Sequence, residues 1–255
     1  MVRTIAIANQ KGGVGKTTTV INLGAALAER GRNVLLIDTD PQGNCTAGIG
    51  VELSEGDTHL TINDVLLNHA SIRQATISTP TTRVALVPSS LILAGAELQL
   101  PQMIGGEKIL QESLDGIEGY DFILIDCPPS LGRLTLNALA AADEVIIPIQ
   151  AGKWAMTGTS QLLETIDLVR KRLNKELLIL GVLCTMYDAR TILSREILSQ
   201  MRTRFGRLVF DTTVRAASKL GEAAVADMPV LLYAKGSRAA HDYRSLAREV
   251  ESREP

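Results

Sequence analysis

The chain has 255 residues, an apolar fraction of 45% and a formal net charge of −2 at pH 7. That length and composition suffice for a buried core, and we expect one domain over residues 1–255. The small net charge gives no global reason to bind nucleic acid or an acidic membrane, so such binding would need a local patch.

The cysteines and the N-terminal region predict an intracellular protein. Cys45, Cys127 and Cys184 are far apart and form no C-x-x-C pair, which suits a reducing compartment and buried thiols better than disulfides or a zinc site. No signal-peptide core precedes the first motif, and no apolar run reaches spanning length. We therefore expect a soluble, cytoplasmic protein that does not enter a membrane.

The stretch at 9–18, Asn-Gln-Lys-Gly-Gly-Val-Gly-Lys-Thr-Thr, predicts a phosphate-binding loop. An apolar strand pattern at 4–8 precedes it and an amphipathic helix pattern follows it, which is the context that a P-loop requires. Its glycines allow backbone N–H groups to approach phosphate oxygens, and the helix N-terminus adds its dipole. In this interpretation Lys16 contacts the β- and γ-phosphates, and the Thr17 hydroxyl coordinates Mg²⁺.

Two further predicted strands end in acids. The run at 34–38 leads into Asp-Thr-Asp-Pro-Gln-Gly-Asn at 38–44, and the run at 120–126 leads into Cys-Pro-Pro-Ser-Leu-Gly at 127–132. Open α/β sheets bind their ligands at the carboxyl ends of the strands. Asp126 therefore fits the Walker B role of holding Mg²⁺, directly or through water. An acid at a strand end is common by itself, and the combination with the P-loop makes the signal specific.

Strand and helix patterns alternate along the rest of the chain. We predict strands at 83–88, 144–149 and 177–183, and helices at 62–67, 106–118, 162–173 and 237–250. Thr61 is the expected cap of the helix at 62–67. Strand–helix–strand spacing implies right-handed crossovers, so the predicted fold class is α/β, with a mostly parallel twisted sheet flanked by helices on both faces.

The phosphate loop departs from the general pattern G-x-x-x-x-G-K-[ST], because the first position falls on Gln10 and a Lys-Gly-Gly start replaces it. This form resembles the deviant Walker A motif of the ParA/MinD family of P-loop ATPases, and the resemblance extends over nearly the whole chain. In that family the extra lysine, here Lys11, reaches the partner's nucleotide across a dimer interface and acts like an arginine finger. The acid before Pro-Gln, here Asp40, orients the attacking water and approaches the Mg²⁺ shell.

The resemblance implies a P-loop NTPase fold, Mg²⁺-dependent ATP hydrolysis and an ATP-dependent homodimer. The expected catalytic residues are Lys11, Lys16 and Asp40, and the expected metal residues are Thr17, Asp40 and Asp126. The expected nucleotide contacts are the loop and one residue near the adenine: Lys11, Gly12, Gly13, Val14, Gly15, Lys16, Thr17, Thr18 and Met186.

Residues 190–219 form a local basic patch, with seven basic residues against two acids and a net charge of +5. Apolar residues recur every four positions from Leu193 to Phe205 and are predicted to face the core, which places the arginines between them outward. Guanidinium groups on one surface suit sequence-independent binding to phosphates, and an ordinary solvated helix face is the alternative. Arg190 and Arg215 match positions where chromosomal ParA relatives carry DNA-contacting arginines. The expected DNA-binding residues are therefore Arg190, Arg195, Arg202, Arg215 and Lys219.

The function expected from this resemblance is that of a ParA-type partition ATPase. Its ATP-bound dimer would bind double-stranded DNA without sequence preference, at the nucleoid, and a ParB-type centromere-binding partner would stimulate hydrolysis. The alternatives are a MinD-like ATPase that positions a protein or membrane cargo, an iron–sulfur reductase resembling the nitrogenase iron protein, and a small-molecule ligase. The sequence departs from the family pattern at Lys153 and Thr157, which bears on the dimer face or partner docking. It departs again at 216–219, which bears on the loop near the nucleotide base.

Overall fold

The computed structural model describes residues 2–53, 58–152 and 159–253. The departures at Lys153 and Thr157 therefore lie outside the described residues.

One eight-stranded sheet, in the order β3-β4-β2-β5-β1-β6-β7-β8, organises the chain. Neighbouring strands pair in parallel, except that β3 runs antiparallel to β4 at one edge. The strands are β1 (Arg3–Ile7), β2 (Val34–Asp38), β3 (Ile77–Ser78), β4 (Val84–Val87), β5 (Phe122–Asp126), β6 (Glu144–Gln150), β7 (Leu178–Tyr187) and β8 (Val209–Arg215). The predicted mostly parallel sheet is confirmed.

Helices connect the strands and cover both faces of the sheet. They are α1 (Lys16–Glu29), α2 (Asn44–Gly48), α3 (Ile62–Asn68), α4 (Ile72–Ala75), α5 (Ala96–Gln99), α6 (Ile109–Leu114), α7 (Arg133–Ala141), α8 (Thr159–Arg172), α9 (Ile192–Phe205), α10 (Ser218–Val225), α11 (Val230–Tyr233) and α12 (Arg238–Ser252). Short 3₁₀ turns occur at Leu91–Gly95, Leu100–Gln102 and Gly206–Leu208. Thr61 caps α3 as predicted, within a capping box completed by Asp64.

Successive residues of the central strands contribute to two different apolar cores, because strand side chains alternate between the faces of a sheet. Ile5 and Ile7 of β1 belong to the core that includes buried residues of α1 and α12. Ala6 belongs to the core on the opposite face, with buried residues of α3, α7, α8 and α9. Helices on both faces explain why the central strands read as continuous apolar runs in the sequence.

Two local predictions differ from the structure, and one strand is missing from them. The strand β8 was not predicted, because its exposed Asp211 and its threonines lie within the basic patch and give no continuous apolar run. The helix expected at 106–118 is limited to α6. In α9 the prediction that Leu193 faces the core is wrong, because the buried positions are Ser194, Ile197, Leu198 and Met201 and Leu193 is 46% exposed.

The C-terminal end of the chain is fastened to the sheet at Gly181 of β7. The Arg253 guanidinium donates to the Leu180 carbonyl at 2.9 Å and stacks 4.0 Å from the centroid of the buried Phe210 ring. A Cβ at position 181 would overlap that ring and lie 2.8 Å from Arg253 Nη1. The absence of a side chain at Gly181 is therefore a packing requirement.

We predict that Gly181→Ala lowers the free energy of unfolding by about 1–3 kcal/mol, because the rigid ring and the guanidinium must both shift. Gly221→Ala in α10 is the matched control, since an added Cβ there would meet no described atom within 4 Å beyond its chain neighbours and the backbone of its own helix. Alanine at 221 should be neutral or stabilising by up to about 1 kcal/mol. Urea denaturation of both variants measures the difference, and equal midpoints would contradict the packing argument.

Candidate nucleotide-binding site

The phosphate loop runs from the end of β1 to the start of α1 and is held from two sides. Gly13 and Gly15 adopt positive φ angles of 71° and 88°, and Gly15 is the N-cap of α1. The Asn9 side chain accepts from the Lys11 N–H at 2.9 Å and donates to the Pro148 carbonyl of β6 at 2.7 Å. These contacts attach the start of the loop to β6.

A second support comes from β7. The Thr185 hydroxyl donates to the Val14 carbonyl at 2.8 Å, and Thr185 is only 2% exposed. Sequence reasoning gave no role to Asn9 or Thr185. Each is a small polar residue at or just after the carboxyl end of a strand, and that position is the only local signal that could have identified them.

Lys16 is buried, with 7% of its surface exposed. Its ammonium donates to the Lys11 carbonyl at 3.4 Å, and it forms no ion pair with any described residue. Burial lowers the pKa of Lys16, and attraction from Asp126 and Asp40 opposes that change. A cation held in this way is favourably placed to receive an anionic group from outside the protein.

Asp126 and Asp38 lie opposite each other at the ends of β5 and β2. Asp126 is fully buried, and neither of its carboxylate oxygens accepts a hydrogen bond of normal geometry from a described residue. Burial raises the pKa of Asp126 well above its usual value, and repulsion from Asp38 adds to this effect. The Thr17 hydroxyl and the Lys16 ammonium oppose the rise from nearby. The site thus contains a buried carboxylate without a direct partner.

Asp38 has a structural role that sequence reasoning did not assign. Its carboxylate accepts from the backbone N–H groups of Asp40 and Thr46 and from the Thr46 hydroxyl, at 3.1, 2.9 and 2.7 Å. Burial raises the pKa of Asp38 to about 6, against these hydrogen bonds. Asp38 therefore folds the segment after β2, called here the switch I segment (residues 38–44), back onto the strand end.

Asp40 lies in the bend that Asp38 creates. It is 7% exposed, and its carboxylate accepts from the Gln42 N–H at 3.0 Å. A cavity of about 470 Å³ joins this segment to the phosphate loop. Residues lining the cavity include Gly12, Gly13, Gly15, Lys16, Thr17, Thr18, Asp40, Gln42, Pro129, Leu220, Ala223 and Met228. The far wall, from α10 and the residues after it, adjoins the base-binding loop expected at 216–219, but none of its residues is among the predicted nucleotide contacts.

Four predicted site residues do not line this cavity. Lys11 is partly exposed beside the loop, and the side chain of Val14 is buried, with its carbonyl bonded to Thr185. Asp126 is buried and contributes no lining surface. Met186 lies at the end of β7 with a positive φ of 51° and 40% exposure, and its contact with the adenine stays a prediction.

The residues present fit a magnesium ion. No group of three or more His, Cys, Asp or Glu side chains that could hold a metal occurs in the described ranges, so a metal here would need ligands beyond the protein. Mg²⁺ is commonly held by one or two protein oxygens together with substrate phosphates and water. Thr17 and the unpartnered Asp126 carboxylate supply that kind of incomplete donor set.

The three cysteines are free and buried, as predicted. Burial raises the pKa of Cys45, Cys127 and Cys184, in the last case to about 12. Such thiols stay protonated at neutral pH, which opposes metal binding and nucleophilic chemistry alike.

The basic patch divides into paired and unpaired residues. Arg190 forms an ion pair with Asp188 at 2.9 Å, and Lys219 forms one with Glu222 at 2.6 Å. Arg215 binds the carboxylate of Asp242, a residue of α12 that is 5% exposed. Arg215 thereby fastens β8 to α12, so its substitution would leave a buried acid without its partner.

Arg195 and Arg202 have a different environment. Both are exposed on the outer face of α9, and neither makes an ion pair within the described residues. Seven residues of helix separate them by about 10 Å along the axis. The Arg195 guanidinium donates only to the Ala189 carbonyl, at 3.2 Å. These two are the predicted DNA-binding residues whose charge is most available.

The sheet order, the strand–loop–helix at its centre and the buried lysine define a P-loop nucleotide-binding protein. The family model described as "AAA domain" matches residues 2–179. The sporulation initiation inhibitor protein Soj of Bacillus subtilis is 45% identical over 251 residues, and the match covers 98% of each chain. The chromosome partitioning protein ParA of Caulobacter vibrioides is 44% identical over 256 residues, covering 99% of this chain and 95% of that one. The chain belongs to the ParA/Soj family of partition ATPases.

A solved structure from Mycobacterium smegmatis is also similar. It is described as cobyrinic acid a,c-diamide synthase with bound ADP and magnesium, and it matches with a TM-score of 0.84 and 39% identity, covering 97% of this chain and 93% of that one. Among the described residues of the present protein, no helix is both long and apolar enough to cross a membrane.

We predict that Asp126→Asn stabilises the nucleotide-free protein by about 1–3 kcal/mol at pH 7–8, because it removes a buried charge without a direct partner. A carboxyl group whose folded pKa is raised makes the wild type less stable as pH rises above the unfolded value of about 4. The advantage of the variant should therefore shrink towards pH 4. Thermal unfolding between pH 4 and 8 measures this, and a destabilised variant at pH 8 would contradict it.

Proposed function

We propose that this protein is a partition ATPase whose ATP-bound dimer binds DNA without sequence preference, acts in the cytoplasm at the nucleoid, and is released by a ParB-type partner that stimulates hydrolysis. The observation that carries the nucleotide part is the buried Lys16 ammonium close to the unpartnered Asp126 carboxylate, beside a cavity lined by the phosphate loop. Family membership supports the cellular role.

The proposed binding of ATP uses the backbone and Lys16 together. The N–H groups of the loop and the N-terminus of α1 attract the phosphates, and the Lys16 ammonium adds a full positive charge. Thr17 and Asp126 would hold Mg²⁺, which neutralises charge on the phosphates when it is bound. The walls at Leu220, Ala223 and Met228 offer an apolar surface to the rest of the nucleotide.

Hydrolysis requires a positioned water and a second subunit. Asp40 lies on the cavity beside the phosphate loop, where its carboxylate can accept a proton from water or orient it. Lys11 is partly exposed, and only its backbone groups make hydrogen bonds within the described residues. We propose that its side chain contacts the nucleotide of a second copy, so that the site is complete only in the dimer. ATP then favours the dimer because it binds that state more tightly.

Three alternatives make different predictions. An amide-forming ligase that takes ammonia from glutamine would need a reactive thiol, and all three cysteines here are buried with raised pKa values. Those thiols also argue against an iron–sulfur centre, which a colourless purified protein would exclude. A MinD-like membrane role would appear as ATP-dependent binding to anionic vesicles in place of DNA.

We predict that Asp40→Ala retains ATP binding, loses turnover and accumulates the ATP-bound dimer, because the phosphate contacts remain while the water is no longer oriented. Lys16→Ala is the comparison variant and should lose ATP binding itself. A fluorescent ATP analogue measures affinity, and gel filtration with Mg²⁺-ATP measures the dimer. Normal turnover in Asp40→Ala would refute the switch I assignment.

For DNA, we predict that Arg195→Gln with Arg202→Gln weakens ATP-dependent binding to an arbitrary duplex and lowers the salt dependence by about 0.9 in slope for each lost phosphate contact. The dimer should form normally, because both arginines are exposed and neither makes an ion pair with a described residue. Binding is measured at several salt concentrations, with Mg²⁺-ATP and with ADP.

The matched control is Arg73→Gln with Arg248→Gln, which removes the same charge from exposed residues outside the patch. This control should leave the affinity and the salt slope unchanged. Equal weakening in both double variants would show that net charge, and not the outer face of α9, determines the affinity. Unchanged binding in the Arg195 and Arg202 variant would show that the patch is elsewhere.

A further inference from the structure

The helix α7 begins directly after residues 127–132, called here the switch II loop, and has no cap of its own. Its N-cap residue is Gly132, which carries no side chain, and its first turn contains no acid. The first N–H groups of a helix lack partners within the helix. The local sequence therefore leaves these groups to a residue from elsewhere in the chain.

That residue is Glu97 of α5. Its Oε2 atom accepts from the Arg133 N–H at 2.7 Å, and its Oε1 atom accepts from the Leu134 N–H at 3.2 Å. The negative charge also interacts favourably with the positive end of the helix dipole. The fit is close, because a Cβ on Gly132 would lie 2.5 Å from both carboxylate oxygens.

Glu97 fixes the far end of a loop whose near end is at the nucleotide site. At the near end, Thr39 donates from its N–H and its hydroxyl to the Asp126 carbonyl, at 3.0 and 2.6 Å. Pro129, in the middle of the loop, lines the nucleotide cavity, and its Cβ lies 3.9 Å from a Cβ built on Gly12. The position of Pro129 thus depends on attachments at both ends of the loop.

The segment that carries Glu97 is anchored in the core. Leu93, Ala96 and Leu100, on either side of it, are at most 1% exposed and belong to the core on the α7 face of the sheet. The neighbouring Leu98 points to solvent and is 75% exposed. Glu97 therefore links a fixed part of the core to the switch II loop.

We propose that Glu97 is a positioning residue for ATP hydrolysis, which holds the switch II loop against the nucleotide cavity by capping α7 from α5. The inference rests on the proposed ATPase function. Loss of the carboxylate would move the loop, including Pro129, while leaving the phosphate loop and Lys16 in place. Turnover should therefore fall while nucleotide affinity is retained.

The first test compares Glu97→Ala with Glu107→Gln. Glu107 pairs with the Arg133 side chain at 2.7 Å, so its variant disturbs the same residue but leaves the helix N–H groups capped. We expect turnover in Glu97→Ala to fall about tenfold or more, with affinity for a fluorescent ADP analogue within about twofold of wild type. Glu107→Gln should hydrolyse ATP like the wild type. Wild-type turnover in Glu97→Ala, or an equal loss in both variants, would overturn the inference.

A double variant separates positioning from simple helix capping. Gly132 has extended dihedral angles, φ −79° and ψ −166°, which suit a serine N-cap once the Glu97 carboxylate is gone. Glu97→Ala with Gly132→Ser should therefore recover the melting temperature, but its turnover should stay low, because the link to α5 is still missing. Joint recovery of melting temperature and turnover would reduce Glu97 to a helix cap and overturn the proposal.

Hydrogen exchange provides a readout that does not need turnover. In nucleotide-free protein, peptides covering 127–136 should exchange faster in Glu97→Ala than in wild type, and Glu107→Gln should not change them. Unchanged exchange in Glu97→Ala would overturn the inference. A wild type that hydrolyses no ATP would instead refute the proposed function, and the exchange comparison would still decide the attachment of the loop.

Discussion

The desolvation of two opposite charges at one end of a parallel sheet is the constraint on which the rest of this structure depends. Lys16 and Asp126 are both buried, and neither forms an ion pair with a described residue. Burying a charge without a direct partner costs several kcal/mol in order of magnitude, and the surrounding packing must offset that cost. Phosphates and a metal ion would relieve it, so affinity for nucleotide and reduced stability without nucleotide have the same physical origin.

The strand order explains how these charges come together. With β1 between β5 and β6, and β2 beyond β5, the strand ends place the phosphate loop beside both acidic turns. Thr185, from β7, supports the loop from the other side. The site is therefore assembled by neighbours in the sheet that are distant in the sequence, which is the general position of ligand sites in open α/β folds.

Sequence patterns predicted the parts of the structure that depend on local periodicity. The strands around the P-loop, the acids at their ends and the Thr61 cap follow from short-range rules, and the structure confirms them. The patterns failed in α9. A strict spacing of four residues predicted that Leu193 faces the core, whereas the structure exposes Leu193 and buries Leu198. Contacts such as those of Glu97 with α7 and Arg215 with Asp242 join distant residues, so no local pattern could indicate them.

The contact between the first helix and the last part of the chain has a consequence for biosynthesis. The Asn22 side chain donates to the Thr18 carbonyl at 2.8 Å and accepts from the Val230 N–H at 2.7 Å, while α12 covers α1 in the shared core. The residues that complete the surroundings of α1 are thus synthesised long after it, since Val230 follows Asn22 by 208 positions. Until α12 is synthesised, α1 keeps an uncovered apolar face, and exposed apolar surface of this kind makes incomplete chains prone to aggregation.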